Sequence, residues 1–415
     1  MKNLFSSIAV LCIVTGCRLS GTSIVQNANP EPEIPVLLTT ADYEKYHRTV
    51  KQFMQANLLS KGFNGAILVS RNGNIIYEKY SGYADLRKKD SITNRTAFHI
   101  ASTSKTFTAM AVLQLVQENK LKLEDDLSVF FPNFPYPGVT VRSLLCHRSG
   151  IPNYVYFLEN QGWDRKRKIS NAELLQFIYD KKPEKDFNPD KRFSYSNTNY
   201  VLLALIIEKI TGQSYPEYMK QKIFEPLQMY NTYVYTPADS ATATPSFKYN
   251  GRYWHHDHLD DTYGDKNIYS TPSDLLKWSV AVNNGVVVSP SLLEAAYTAC
   301  SHERPSVHNY GLGWRMLNLK NGKKVIYHNG RWHGSNSAFA YLPEEKVTII
   351  IVGNKYNSSI YKTARKAYDI FGQYMQSGKQ SDDEEDDEPI VKNAESKIHK
   401  PYYLSTVSPV ISAKK

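Results

Sequence analysis

Two regions with strand patterns lie far apart in this chain, and a long stretch with helical patterns separates them. The first region flanks the pair Asn72-Gly73 with two apolar segments, a combination that predicts a β-hairpin. The second region contains several strand patterns, the last of them apolar enough for a central strand that is covered on both faces. The predicted strands are residues 65–70, 75–80, 324–329, 336–342 and 347–352.

The order of these elements limits the possible folds. Strands from both ends with helices inserted between them predict an α+β fold, in which one antiparallel sheet is flanked by helices and joined to a mostly helical lobe. We expect the α/β part at about residues 41–120 and 266–376 and the helical lobe at about 121–265. A cleft would lie where the lobe and the sheet meet.

The sequence predicts three helices, and for each of them it indicates either how the helix is buried or where it ends. Residues 107–118 are apolar nearly all round, which indicates a buried helix. Residues 201–210 stop before Gly212, a residue favoured just after a helix end. Residues 359–376 have the pattern of an amphipathic closing helix.

Ser102 and Lys105 form an S-x-x-K motif at the start of the predicted buried helix. Residues three apart share one face of a helix, so the hydroxyl and the amine can meet. A lysine can take the serine proton only where burial keeps the amine neutral, and a helix N-terminus stabilises an oxyanion. In isolation the same four residues fit a helix N-cap followed by an exposed lysine.

Two further motifs follow in the chain. Tyr195-Ser196-Asn197 lies before the helix at 201–210, where an extended loop would point Tyr195 and Asn197 the same way. His328-Asn329-Gly330 ends a predicted strand, where glycine leaves room for a substrate backbone at the strand edge. Each has a simpler reading alone: Asn197 as a helix cap, and Asn329-Gly330 as a turn.

In this order the three motifs resemble those of serine β-lactamases and penicillin-binding proteins, in which S-x-x-K is followed by two partner motifs. The resemblance is to the class C branch with its DD-peptidase, D-aminopeptidase and esterase relatives, which use Y-x-N and then K-T-G or H-x-G. It covers about residues 41–376. The segments between the motifs agree with it: residues 98–101 (FHIA), 144–152 (LLCHRSGIP), 193–200 (FSYSNTNY) and 310–314 (YGLGW).

The resemblance implies a catalytic group. Ser102 would be the acylated nucleophile, Lys105 its proton partner, and Tyr195 the phenol near the leaving group. Whether Lys105 or Tyr195 is the general base stays open, since the two can titrate as a unit. Neither a metal nor a cofactor is implied.

The resemblance also implies a substrate-binding group. Asn197, His328 and Gly330 would contact the substrate, and the backbone N–H groups of Ser102 and Arg331 would form the oxyanion hole. His328 replaces the lysine of K-T-G and is mostly uncharged at neutral pH. The Arg331 guanidinium could bind a substrate carboxylate instead, unless only its backbone N–H acts.

We therefore expect a periplasmic serine hydrolase that forms an acyl-enzyme on D-amino-acid peptides, amides or esters. A β-lactamase is the alternative within the same chemistry, and the missing lysine makes it the less expected one. From another class, a protein that binds penicillin or wall peptide without turnover also fits these motifs.

The N-terminus predicts export and lipidation. Residues 1–16 have a lysine followed by a short apolar stretch, and residues 14–17 (VTGC) resemble the lipobox of bacterial lipoproteins. Acylation of Cys17 would anchor the protein to the membrane, with residues 17–40 as a tether, most plausibly at the outer membrane. An ordinary signal peptide with an incidental Cys17 is the other interpretation. The net charge of +10 then points to cell wall and lipid head groups rather than nucleic acid.

Three other features receive structural interpretations. Cys146 and Cys300 could form a disulfide in an oxidising compartment, but the apolar setting of Cys146 favours a buried thiol. The histidine- and aspartate-rich residues 255–261 are expected to be a solvent-exposed loop rather than a metal site. Residues 377–415 contain an unbroken acidic run at 382–388 and are expected to be a solvated, disordered tail.

Overall fold

The computed structural model of this protein describes residues 38–375. The predicted signal segment, Cys17, nearly all of the tether and the acidic tail lie outside the described residues. Within residues 38–375, no helix is both long enough and apolar enough to span a bilayer.

One seven-stranded antiparallel sheet forms the centre of the fold, with the strand order β2-β1-β12-β11-β10-β9-β8. Two small sheets, β3-β4 and β5-β7-β6, lie beside it. The strands are β1 Gly65–Arg71, β2 Asn74–Ser81, β3 Tyr83–Asp85, β4 Asp90–Ser91, β5 Phe98–His99, β6 Tyr233–Val234, β7 Ile268–Ser270, β8 His308–Tyr310, β9 Arg315–Asn318, β10 Lys324–Trp332, β11 Ser335–Leu342 and β12 Val347–Gly353.

Helices cover both faces of this sheet. The α-helices of the described part are α1 Thr40–Asn57, α2 Ser104–Gln117, α3 Val141–Leu145, α4 Tyr154–Asn160, α5 Asn171–Lys181, α6 Asn197–Thr211, α7 Tyr215–Met219, α8 Pro272–Asn283, α9 Pro290–Ala296 and α10 Ser359–Ala367. The α+β fold with one antiparallel sheet flanked by helices is confirmed.

The sheet joins the two ends of the chain, as the order of elements predicts. β1 pairs with β12 in the register Gly65↔Gly353, and the hairpin β1-β2 turns through Asn72 and Gly73, which both have positive φ. Every residue of β12 is buried. Its side chains alternate between two cores, with Ile349 on the face covered by α1 and α10 and Ile350 on the face covered by α2 and α8.

Helix boundaries show where local pattern is informative. α2 is buried nearly all round, as predicted, and α6 ends before Gly212, which has the left-handed φ of 68°. α6 begins at Asn197, four residues before the predicted start. α10 ends at Ala367 rather than at residue 376, because a 3₁₀ turn follows and Gly372 interrupts the helix.

Two structural expectations are wrong. Cys146 and Cys300 form a disulfide with Cα atoms 6.2 Å apart, rather than leaving Cys146 as a buried thiol. Of the loop at 255–261, His255 and His256 are exposed but His258 and Asp260 are each only 4% exposed. Asp260 can be buried because its carboxylate accepts hydrogen bonds from the indole N–H of Trp332 and from His333.

Candidate active site

Ser102 lies in a tight turn that leads into α2. The 3₁₀ turn Ala101–Thr103 precedes the helix, and Ala101 has a φ of 48°, a left-handed conformation that costs energy for a residue with a Cβ. The His99 ring accepts a hydrogen bond from the Ala101 backbone N–H at 3.2 Å. This turn places Ser102, 4% exposed, at the start of the buried helix.

Lys105 lies against Ser102, as the motif predicts. Its side chain is completely buried, and Nζ lies 3.0 Å from Ser102 Oγ. Nζ also donates a hydrogen bond to the main-chain oxygen of Asp265 at 2.8 Å. The structure therefore excludes an exposed lysine, and the amine is within reach of the serine proton.

Tyr195 also lies beside this amine. Lys105 Nζ is 4.9 Å from the centre of the Tyr195 ring, and the ring of His147 lies against the same Tyr195 ring, with ring centres 4.3 Å apart. Asn197 is 4% exposed and is the first residue of α6, not part of an extended loop as predicted. Among the described residues the Asn197 Oδ1 atom has no hydrogen-bond partner. This oxygen can therefore accept a hydrogen bond from a substrate.

His328 is a neutral hydrogen-bonding residue in this structure. Its Nδ1 lies 2.7 Å from the Asn329 carbonyl oxygen and its Nε2 3.1 Å from the Tyr310 hydroxyl. Nδ1–H therefore donates to the carbonyl, and Nε2 accepts from the phenol. Complete burial, followed by the charges of Arg315 and Lys105, holds the pKa of His328 well below its usual value. The position of the K-T-G lysine thus carries no positive charge.

Gly330 brings β10 against the nucleophile. A Cβ at this position would lie 2.3 Å from the Ile100 carbonyl oxygen and 2.9 Å from the Ser102 backbone nitrogen. Glycine is therefore required at this position because β10 packs directly against the Ser102 turn. The sequence predicts a different reason, namely space for a substrate backbone. Beyond Tyr327, the last residue of β10 that pairs with β9, the strand continues through Arg331, which is partly exposed and pairs with Asn336 of β11.

Four residues at the site were missed by the sequence reasoning. His147 and Tyr310 contact Tyr195, and both lie inside segments that carry the family resemblance. Arg315 directly follows one such segment and lies with its guanidinium carbon 5.2 Å from the Tyr195 ring centre. Asp265, which holds Lys105, has no sequence signal that we could have used.

His147 is uncharged, like His328. Its Nδ1 accepts hydrogen bonds from the Ser196 backbone N–H and the Asn199 amide, each at 3.2 Å. Burial, with the charge of Lys105 as the next cause, holds its pKa well below the usual value. His147 thus supports the loop that carries Tyr195 without adding a charge, and the basic side chains beside Tyr195 are Lys105 and Arg315.

The arrangement brings together a hydroxyl, an amine and a phenol, of which Ser102 and Lys105 are almost completely buried. A nucleophile beside a buried base at a helix start fits acyl transfer through a covalent intermediate. Of the sequence-predicted residues, Lys105 lies close to both Ser102 and Tyr195, and Gly330 lies against Ser102.

Comparisons with known proteins agree with this geometry. A sequence model of the beta-lactamase family matches residues 47–371. A penicillin-binding protein from Bacillus subtilis (strain 168) is 32% identical over 333 residues, which is 75% of this chain and 73% of that protein. The solved octameric penicillin-binding protein homologue from Pyrococcus abyssi is 27% identical with a TM-score of 0.66, covering 79% of this chain and 77% of that one. A D-stereospecific amidohydrolase from Streptomyces sp. is 25% identical with a TM-score of 0.60, covering 77% of this chain and 98% of that one.

Proposed function

This chain belongs to the beta-lactamase family of serine hydrolases, and from that premise we propose that it forms an acyl-enzyme on Ser102 with D-amino-acid peptides, amides or esters. The observation that carries this proposal is the contact between the buried Lys105 amine and the Ser102 hydroxyl at 3.0 Å. In acylation the serine oxygen bonds to the substrate carbonyl carbon while its proton passes to the amine or, through it, to Tyr195. The C–N or C–O bond to the leaving group then breaks as the departing amine or alcohol takes this proton. Water attacks the acyl carbon of the resulting ester, which releases the acid and returns a proton to the Ser102 oxygen.

The oxyanion hole of this proposal consists of the backbone N–H groups of Ser102 and Arg331. Gly330, the residue of β10 before Arg331, lies against the Ser102 turn with no side chain between them, which would let the two N–H groups point at one oxygen. Donors fixed in this way stabilise the charge of the tetrahedral intermediate without having to reorganise.

The charge around Tyr195 favours substrates with a carboxylate on the leaving side. His328 is neutral, so the lysine charge of K-T-G is absent. The Arg315 guanidinium lies over the Tyr195 ring, next to the phenol that would protonate the leaving group. We assign the carboxylate contact to Arg315 and keep for Arg331 the backbone role. The terminal carboxylate of a D-amino-acid peptide meets this requirement, and the D-stereospecific amidohydrolase relative supports the same substrate class.

The first experiment follows intact mass after addition of a fluorophosphonate, a penicillin or a D-amino-acid ester. We expect one adduct on Ser102, rapid recovery with the ester, and no adduct with Ser102→Ala. Fast recovery after penicillin would instead favour a β-lactamase, and a lasting adduct with every acyl donor would favour a non-turnover binding protein. Full labelling of Ser102→Ala would refute the assignment of the nucleophile.

The second experiment separates the two arginines. For Arg315→Ala we expect kcat/KM to fall about tenfold for an acyl-D-alanine acid substrate, at the low end for a charged hydrogen bond because the guanidinium is partly exposed. The matched methyl ester should change little. Arg331→Ala is the control, since it keeps the backbone N–H. A selective loss of the acid substrate with Arg331→Ala but not with Arg315→Ala would reverse the assignment.

We also propose that the protein is a lipoprotein of the bacterial cell envelope, anchored at Cys17 and facing the periplasm. The disulfide Cys146–Cys300 supports an oxidising compartment. We expect Cys17→Ser to move the protein from the membrane fraction to the soluble periplasmic fraction. A Cys17→Ser variant that still sediments with outer membranes would show that the anchor lies elsewhere.

A further inference from the structure

A second lysine is buried behind the catalytic pair and takes no part in the chemistry described so far. Lys266 is 2% exposed. Its Nζ donates to the hydroxyl oxygen of Tyr154 at 2.6 Å and to Thr262 Oγ1, and lies 3.4 Å from Asp265 Oδ2. The Tyr154 hydroxyl in turn donates to Asp265 Oδ2 at 2.8 Å. Tyr154, Thr262 and Asp265 are themselves fully buried.

This network is attached to Lys105 through one atom. Asp265 presents its side chain to Lys266 and Tyr154, while its main-chain oxygen accepts the hydrogen bond from Lys105 Nζ at 2.8 Å. The direction of that carbonyl depends on how residues 265 and 266 are held. A neutral lysine has two N–H groups and one lone pair, so an N–H fixed on the carbonyl restricts where the lone pair can point.

The same network also contacts the other two motif-bearing elements. The Tyr154 backbone N–H donates to Thr198 Oγ1 at 2.8 Å, in the first turn of α6 directly after Asn197. Lys266 Nζ lies 4.6 Å from the Trp332 ring centre, two residues after Gly330 on β10. Through these contacts Lys266 connects three parts of the site: the helical lobe, the Asp265 carbonyl that binds Lys105, and the strand β10 that carries the proposed oxyanion donor.

Burying an ion pair in the protein interior costs folding free energy. Apolar side chains of the same volume are often as stable or more stable, because two charges lose their hydration. Asp265 Oδ1 accepts no hydrogen bond from the described residues, which adds to that cost. Stability alone therefore does not explain why Asp265 and Lys266 are charged residues, and their position behind Lys105 offers a reason.

We propose that Asp265 and Lys266 are positioning residues, which hold the Asp265 carbonyl so that the Lys105 amine faces Ser102. The inference rests on the proposed function of Ser102 and Lys105. Removing the pair should slow proton transfer from Ser102 while leaving substrate binding nearly unchanged.

The test uses the double variant Asp265→Asn/Lys266→Met, which removes both charges and avoids leaving one charge unpaired. Labelling of Ser102 by a fluorophosphonate is followed by intact mass at several probe concentrations, which separates the maximal rate from the half-saturating concentration. We expect the maximal rate to fall about tenfold or more, as is typical of lost proton transfer, with the half-saturating concentration within about threefold. Asp274→Asn/Lys277→Met is the matched control, because it likewise removes both charges of an ion pair with a buried carboxylate, here on α8, and it should not change labelling.

The deciding comparison is the same double variant in a Lys105→Ala background. If the pair acts through Lys105, it should have almost no further effect there, less than about twofold. Equal losses in both backgrounds, or no loss with Lys105 present, would overturn the inference. If circular dichroism shows the double variant unfolded, Tyr154→Phe, which removes only the bridging hydroxyl, decides by the same criteria. Absence of labelling in the unmodified protein would overturn the proposed function as well, whereas normal labelling of the Asp265/Lys266 variant with Lys105 present, together with slow labelling of Lys105→Ala, would overturn only the positioning role.

Discussion

Gly330→Ala is the substitution for which the structure gives the most direct magnitude. Gly330 does not have a positive φ, so alanine can adopt its backbone conformation and the effect is purely steric. The new Cβ would lie 2.3 Å from the Ile100 oxygen, 2.6 Å from Ser337 Oγ and 2.9 Å from the Ser102 nitrogen, where ordinary contacts lie at 3.4–4 Å. Two of these atoms are backbone, so β10 and the Ser102 turn must separate by about 1 Å.

Two consequences follow from that separation. Overpacking of this kind costs about 1–3 kcal/mol, which for a chain of this size lowers Tm by about 2–6 °C. The separation also moves the Ser102 and Arg331 N–H groups apart, and displacing oxyanion donors or reacting groups by this much costs about 10²-fold in rate. We therefore expect a folded, slightly less stable protein whose acylation rate is strongly reduced.

The assay combines thermal unfolding with kcat/KM for an activated ester. Gly353→Ala is the matched control: it lies in the same sheet, and its Cβ would lie 2.8 Å from the Asn64 oxygen but not near Ser102. We expect it to lower Tm and leave kcat/KM unchanged. A Gly330→Ala protein with unchanged activity, or an equal activity loss in Gly353→Ala, would refute the reasoning that close approach to Ser102 is the function of this glycine.

Two further predictions concern the proton path and the pH dependence of stability. Lys105→Ala and Tyr195→Phe should each lower the acylation rate about 10²-fold, and the two losses should not multiply in the double variant; if they do multiply, the residues do not share a proton path. Burial alone would lower the pKa of His333, but the Asp260 carboxylate 3.0 Å away outweighs this and raises it. The stabilisation of the fold by protonated His333 beside Asp260 is therefore complete below about pH 6.5. It is lost as the pH rises through the raised pKa of His333 in the folded state. His333→Gln should flatten the fall in Tm as the pH rises above about 6.5, and an unchanged Tm–pH curve would show that this ion pair does not stabilise the fold.

Part of the fold could be predicted because the signals are local. The β1-β2 hairpin follows from an Asn-Gly turn between apolar segments, and β12 follows from an unbroken apolar run, so both depend on neighbours in the chain. The end of α6 at Gly212 depends on one residue that tolerates positive φ. The start of α6 at Asn197 lies four residues before the predicted one because the first turn, residues 197–200 (NTNY), is mostly polar and is buried by tertiary contacts such as the Tyr154 N–H to Thr198 hydrogen bond.

The sequence by itself determined the part of the site whose residues are neighbours in the chain. Ser102 and Lys105 lie three residues apart, so the 3₁₀ turn that continues into α2 brings hydroxyl and amine to the same side. Only the tertiary structure decided which atoms surround them. Asp265 is 160 residues away from Lys105, and Arg315 is separated from Tyr195 by 120. Contacts over such separations leave no periodic pattern, because they depend on how strands from both ends of the chain close around the inserted lobe.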